Sequence, residues 1–297
     1  MKRFVFFALF LLSTLFLSAD TMPLLAKAGT LPPQKTAVVF GQKIAYYDVG
    51  TGPVLVLVHG FSSSAYFDFG NVILPLAKHH RVLAIDQIGF GASDKPAIDY
   101  SVQTFVDFLG EYLRVMKVQK YDLVGESLGG WVVAAYTIQA LAPANTGAYA
   151  VPKPTRLILE DAAGHTANTS AKPGPVAGTV ADASGMSVIL YDKSRLTPEV
   201  VRQAWTLKMK ANDGATQRSF RTSTKTPSET VGDKLAGITI PTLVVWGGND
   251  NIVPLADGKD YAAKIPNAKL VIIPECGHVG SMEKPKEFLT AVEPFLK

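Results

Sequence analysis

Short, unbroken apolar runs recur along this chain. Val54–Val58 (VLVLV), Arg81–Asp86 (RVLAID), Tyr121–Val124, Arg156–Glu160 (RLILE), Thr242–Trp246 and Leu270–Ile273 show little alternation. A strand with one wet face alternates apolar and polar residues. A run without alternation fits a strand covered on both faces, as in a parallel sheet. Ahead of these runs, Thr36–Phe40 and Ile44–Asp48 flank a Gly41-Gln42 turn and predict two further strands. Between the runs, Ser101–Met116 places Phe105, Phe108, Leu109, Tyr112, Leu113 and Met116 at helical spacing. Gly130–Ala142 predicts a buried helix and Glu283–Leu296 a final one. Strands alternating with helices predict an α/β fold, with a mostly parallel central sheet flanked by helices.

The segment from Gly164 to Leu235 breaks this rhythm. It opens polar and rich in Gly and Pro, then carries one clear helix starting at Thr197-Pro198. Thr197 suits the N-cap and Pro198 the first helical turn. Val200, Val201, Ala204, Trp205 and Leu207 give that helix an apolar side. The expected organisation is a core of residues 36–163 and 236–297, with residues 164–235 inserted as a helical cap over the sheet.

The N-terminus predicts a targeting segment. Met1-Lys2-Arg3 is a basic start, and Phe4–Leu17 is apolar on every face and of signal-peptide length. Small residues offer cleavage after Ala19 or after Ala28, so residues 1–28 are expected to be a leader. The expected location is periplasmic or extracellular, and an uncleaved N-terminal anchor in the membrane is the alternative. Cys276 is the only cysteine, which excludes an internal disulfide and a cysteine-built zinc site. The formal charge of +4 includes Lys2 and Arg3, and no basic run is interleaved with aromatics. Nucleic acid is therefore not expected as a partner.

Gly125-Glu126-Ser127-Leu128-Gly129 sits between a strand run and a helix run. The Gly-x-Ser-x-Gly pattern in that context predicts a nucleophile elbow, a sharp turn that lifts the serine hydroxyl clear of the backbone. A serine hydroxyl is a weak nucleophile unless a base takes its proton and an acid orients the base. His278, in the loop after the last strand run, is the candidate base. His59 closes a strand and is expected to shape its loop. His79 and His80 are expected to be exposed, and His165 opens the insertion. Asp250, after Thr242–Trp246, is the candidate acid, with Asp161 beside Glu160 as its competitor. Two backbone N–H groups, of Phe61 and Leu128, are the candidate oxyanion donors. Loss of one such donor typically costs roughly 3 kcal/mol. Phe61, Trp131, Met186, Trp205 and Val279 are candidate pocket walls.

HGF (His59–Phe61), DQIGFGASDKP (Asp86–Pro96), GESLGG (Gly125–Gly130), WGGNDNIVP (Trp246–Pro254) and GHVGSMEKP (Gly277–Pro285) stand in one order along the chain. Together they resemble the α/β-hydrolase-fold serine hydrolases, specifically the capped, esterase-like group. The resemblance implies a Ser127-Asp250-His278 triad and neither metal nor organic cofactor. Glu126 departs from the His, Asn or Asp more usual in relatives. Relatives that open epoxides or remove halides carry Asp at the elbow, so Ser127 argues against both reactions. The first expectation is hydrolysis of a small-molecule carboxylic ester through an acyl-enzyme. The alternatives are C–C bond hydrolysis of a ring-cleavage-type diketone and a ligand-binding member of the fold without turnover.

Overall fold

Eight strands form one sheet in the order β1-β2-β4-β3-β5-β6-β7-β8. The structure is a computed structural model that describes residues 23–27, 29–147, 150–166, 176–223 and 225–297. The predicted leader lies almost wholly outside these residues. β1 (Lys35–Val39) and β2 (Gln42–Val49) form an antiparallel hairpin, and β2 also runs antiparallel to β4. β3 (Val54–Val58) leads to α1 (Ala65–Phe69), α2 (Ile73–Leu76) and β4 (Arg81–Ile85). Then come α3 (Val102–Val115), β5 (Tyr121–Glu126), α4 (Leu128–Leu141) and β6 (Arg156–Glu160). The segment after β6 carries α5 (Val180–Ala183), α6 (Pro198–Ala211) and α7 (Gly214–Thr222). β7 (Thr242–Gly247), α8 (Leu255–Lys264), β8 (Ala268–Ile273), α9 (Gly280–Glu283) and α10 (Pro285–Leu296) complete the chain. From β4 to β8 every pairing is parallel.

The lack of alternation in the strand runs has the expected cause. Along β3, Val56 and Val58 pack with α3 and α4 in one core, while Leu55 and Leu57 pack with α1, α2 and α10 in another. Leu157 and Leu159 of β6 join the first core, and Ile158 joins the second. Each strand therefore feeds two apolar layers. Burying a Val or Leu side chain contributes about 1.5–3 kcal/mol relative to exposure, so both faces stabilise the sheet.

Several elements differ from the sequence reading. The final helix is broken at Lys284, whose φ of −129° and ψ of 57° are not helical. Pro285 follows, and the residue before a proline is driven away from the helical region. α7 went unread because GATQRSFRT is mostly polar, and it is anchored by side chains rather than by a long apolar stripe. Thr216 and Gln217 are its buried residues, and Phe220 packs onto the first core. His80 is buried, not exposed. Residues 23–26 lie along the join between the core and the later segment. Leu24 and Leu25 pack with Leu190, Val279 and Met282. The Asn71 amide donates to the Pro23 and Leu24 carbonyls at 2.9 and 3.1 Å. Among the described residues no helix is long and apolar enough to cross a membrane.

Candidate active site

The turn from β5 into α4 forces Ser127 to φ 51°, ψ −115°, a region that side-chain-bearing residues rarely adopt. The flanking glycines are required by close backbone approach. A Cβ on Gly125 would sit 2.3 Å from the Gly129 carbonyl oxygen, and one on Gly129 would sit 2.1 Å from the Val58 oxygen. These contacts hold α4 tight against the sheet. The turn is tied to the next strand by the Ser127 N–H, which donates to the Glu160 carbonyl at 2.9 Å. Leu128 is the first residue of α4, so its N–H is one of the four that a helix leaves free at its start.

Three of the predicted side chains meet. His278 Nε2 lies 2.8 Å from Ser127 Oγ, and His278 Nδ1 lies 2.7 Å from Asp250 Oδ2. Asp250 Oδ1 accepts the Ile252 and Val253 N–H groups at 2.7 and 3.0 Å, which fixes the carboxylate's orientation. Its side chain is fully shielded from solvent. Ionised Asp250 accepts only, so Nδ1 carries the proton and Nε2 presents a lone pair to the serine hydroxyl. His278 is buried, and its N–H donates to the Ile189 carbonyl at 2.7 Å. The segment after β6 thus touches the histidine loop directly.

Asp161, the competing acid, goes elsewhere. It stands at φ 45° after β6, and its Oδ1 accepts the Gly247 N–H at 2.7 Å. Its carboxyl braces the start of the Asp250 loop. Burial first, then the charges of Asp250 and Glu160, hold its pKa well above the usual carboxylate range. Glu160 is pushed up to about 8 by burial, although the Ser281 N–H donates to its Oε1 at 2.6 Å and works in the other direction. Burial, then Asp68 and Glu160, likewise raise Glu126 well above its ordinary value. Glu126 Oε1 lies 3.6 Å from His278 Nε2.

The Phe61 loop is built against this turn. A Cβ on Gly60 would come within 2.2 Å of Glu126 Oε2 and 3.1 Å of Ser127 Cβ, so any side chain there would displace the Glu126 carboxyl. The Gly60 N–H donates to Asp68 Oδ2 at 2.8 Å. His59 shapes the loop as expected: its Nε2 accepts the Gln87 N–H at 3.0 Å, so its Nδ1 donates to the Gly60 carbonyl at 2.7 Å. Asp86 joins the same corner, accepting the Ala65 and Ala92 N–H groups at 2.8 Å each.

Of the candidate pocket walls, only Met186 lines the large cavity. That space, about 690 Å³, lies between α6 and the Ser62–Ser64 turn and is bordered by Tyr66, Gln203 and Lys208. None of Ser127, Asp250 and His278 is among its lining residues. Phe61 instead packs between Phe90 and Phe220 with the Arg221 guanidinium over its ring. Trp131 meets Phe220 edge to face and donates to the Glu229 carbonyl at 3.0 Å, and Val279 belongs to the cluster around Leu24. Trp205 is half-buried on α6, outside the cavity lining. One tie was invisible in the sequence. Lys208 of α6 reaches Ser62 Oγ and pairs with Asp213 at 2.7 Å, with both side chains largely buried. A lysine on a half-polar helix carries no signal that it turns inward. Cys276 is buried, and burial raises its thiol far above the ordinary range, so it is not a thiolate nucleophile. Among the described residues no group of His, Cys, Asp and Glu is placed to hold a metal ion.

A family model described as the alpha/beta hydrolase family matches residues 55–291. The chain belongs to this family. It is 26% identical over 268 residues to the 2-hydroxy-6-oxo-6-(2'-aminophenyl)hexa-2,4-dienoic acid hydrolase of Metapseudomonas resinovorans, covering 86% of this chain and 88% of that one. Solved structures share the fold. A meta-cleavage product hydrolase from Pseudomonas fluorescens superposes with a TM-score of 0.76 at 24% identity, covering 88% of this chain and 97% of that one. A thermophilic esterase from Thermogutta terrifontis gives 0.73 at 23% identity, with 89% and 98% covered. This chain is an α/β-family hydrolase with small-molecule hydrolases among its relatives.

Proposed function

We propose that this hydrolase cleaves small-molecule carboxylic esters, with Ser127 as nucleophile, His278 as base and Asp250 as orienting acid. The observation that carries the reading is the continuous chain Ser127 Oγ–His278 Nε2 and His278 Nδ1–Asp250 Oδ2 at 2.8 and 2.7 Å. Ser127 attacks the ester carbonyl as His278 takes its proton. The oxyanion is met by the N–H groups of Leu128 and Phe61. His278 returns the proton to the leaving alcohol, then activates the water that releases the acyl group. Hydrolysis of a C–C bond in a ring-cleavage-type diketone is the second reading, supported by the likeness to the dienoate hydrolase.

A panel of p-nitrophenyl esters of increasing acyl length, assayed beside Ser127→Ala and beside a vinylogous diketone, tests both. Ester turnover lost in the mutant supports the first reading. Faster cleavage of the diketone by orders of magnitude moves the assignment to the second. Ligand binding with neither reaction would leave a binding protein.

Export is part of the proposal. The buried Leu24 and Leu25 support cleavage after Ala19, because cleavage after Ala28 would remove residues that pack beside Val279.

A further inference from the structure

Glu126 is the carboxyl that the reaction outlined above leaves unused. It is 1% exposed and directly precedes the nucleophile. Asp68 takes the Gly60 N–H and the Ser63 hydroxyl, Glu160 the Ser281 N–H and Asp161 the Gly247 N–H, while Glu160 Oε2 and Asp161 Oδ2 are unpaired. Glu126 Oε1 has no hydrogen-bond partner at all, and it faces His278 Nε2 across 3.6 Å. That nitrogen is the one that receives the serine proton. An orphaned buried carboxyl oxygen normally costs free energy. Here it is aimed at the one atom nearby whose charge changes during turnover.

We propose that Glu126 is a positioning residue whose unpaired Oε1 serves as a second acceptor for the imidazolium of His278. Asp250 holds His278 at Nδ1, and the carbonyl-type Oε1 of Glu126 faces Nε2. At rest 3.6 Å is too long for a hydrogen bond. Once Nε2 carries the serine proton, the contact becomes a charge–dipole attraction that costs no reorganisation. A neutral acid suits this place. A permanent carboxylate would favour a protonated Nε2 before substrate arrives and would remove the lone pair that Ser127 needs. Asp68, Glu160 and Asp161 lie close by, and burial first, then these neighbouring charges, raise Glu126 well above the usual carboxylate range. The carboxyls in contact with the His278 ring are Asp250 from the β7 loop and Glu126 from β5. Around them lie Glu160 and Asp161 from the end of β6 and Asp68 from α1, whose charges act on Glu126, and Glu283 from α9, which accepts the Gly277 N–H at 2.7 Å.

The test rests on the reading of Ser127 and His278 as nucleophile and base, and it uses a readout independent of the natural substrate. The rate of covalent capture by a fluorophosphonate is followed by intact mass across pH for the wild type, Glu126→Leu and Glu126→Gln. Removing the acceptor destabilises the imidazolium, so Glu126→Leu is expected to lower the acid limb of the profile by about half a pH unit or more, and to lower the plateau rate. Glu126→Gln retains a carbonyl oxygen without a titratable proton and is expected to restore the wild-type limb. A merely structural role would lower the captured fraction without moving the limb. Glu126→Met replaces Glu126→Leu if thermal melts show the latter unfolded. An unmoved limb in the apolar variant overturns the proposal. So does a limb in Glu126→Gln that falls as far as in Glu126→Leu, since that would make Glu126 a charged carboxylate. Folded wild-type protein that is not captured at any pH refutes the nucleophile assignment instead.

Discussion

Asp250→Asn exchanges one carboxylate oxygen for an NH₂ group and is expected to remove nearly all turnover. Asp250 Oδ1 is pinned by the Ile252 and Val253 N–H groups. In the asparagine these two donors keep the amide oxygen on their side, so its NH₂ is presented to His278 Nδ1. Nδ1 must then accept, and the ring proton moves to Nε2. There it faces Ser127 Oγ, 2.8 Å away, as a donor rather than as a base. The carboxylate's attraction for the imidazolium is lost as well. Opposite charges about 4 Å apart at an effective dielectric of about 20 interact by about 4 kcal/mol, on the order of a 10³-fold rate loss. The tautomer change adds to this, so kcat/KM is expected to fall by about 10³- to 10⁴-fold at an unchanged melting temperature. The assay is hydrolysis of the best ester from the panel, with fluorophosphonate capture as an independent check. Asp161→Asn is the control, because its amide oxygen still accepts the Gly247 N–H. It is expected to keep the wild-type order of magnitude. A loss under tenfold in Asp250→Asn, or a larger loss in Asp161→Asn, would refute the assignment of the acid.

Lys208→Met should lower stability by about 3–5 kcal/mol, because it strands the Asp213 carboxylate, 1% exposed, without its cation; Lys208→Met with Asp213→Leu should recover most of the loss in thermal melts. Glu160 holds its proton to about pH 8 when folded and ionises near 4.5 when unfolded. The folded state thus binds more protons between these values, so stability should fall as pH rises from about 4.5 to 8 and level off above. Glu160→Gln should flatten that part of a melting-temperature profile, and an unaltered slope would show that Glu160 does not cause it. A chain beginning at residue 20 should melt higher than one beginning at residue 29. Leu24 and Leu25 together contribute about 3–6 kcal/mol of burial, and equal melting temperatures would rule out a stabilising role for this segment.

The sheet was legible because the strand runs serve two apolar layers and, at five or six residues, are too short for a buried helix such as α4. The elbow was legible because Gly125 and Gly129 are dictated by backbone contacts of 2.3 and 2.1 Å, a local requirement written into local sequence. What escaped notice depends on direction. α7 is polar along its length, and its place is set by contacts to distant residues, such as the Ser219 hydroxyl that takes the Tyr100 N–H at 2.9 Å. Lys208 turns inward only because Asp213 and Ser62 wait there. Four of the five candidate pocket walls lie outside the cavity lining for a similar reason. Phe61 and Trp131 are large, and both are used to seat Phe220 of α7. Glu126 stands out in the sequence only as a departure from the His, Asn or Asp more usual in relatives, and the fold shows it buried near Asp68, Glu160 and Asp161.

The central claim is that Ser127 carries the acyl group. Rapid-quench intact-mass analysis of wild-type protein mixed with a p-nitrophenyl ester tests it most directly. The account predicts a transient increase equal to one acyl group, localised by digestion to the peptide bearing Ser127 and absent from Ser127→Ala. Ester turnover that persists in Ser127→Ala, or an adduct on another residue, would contradict it.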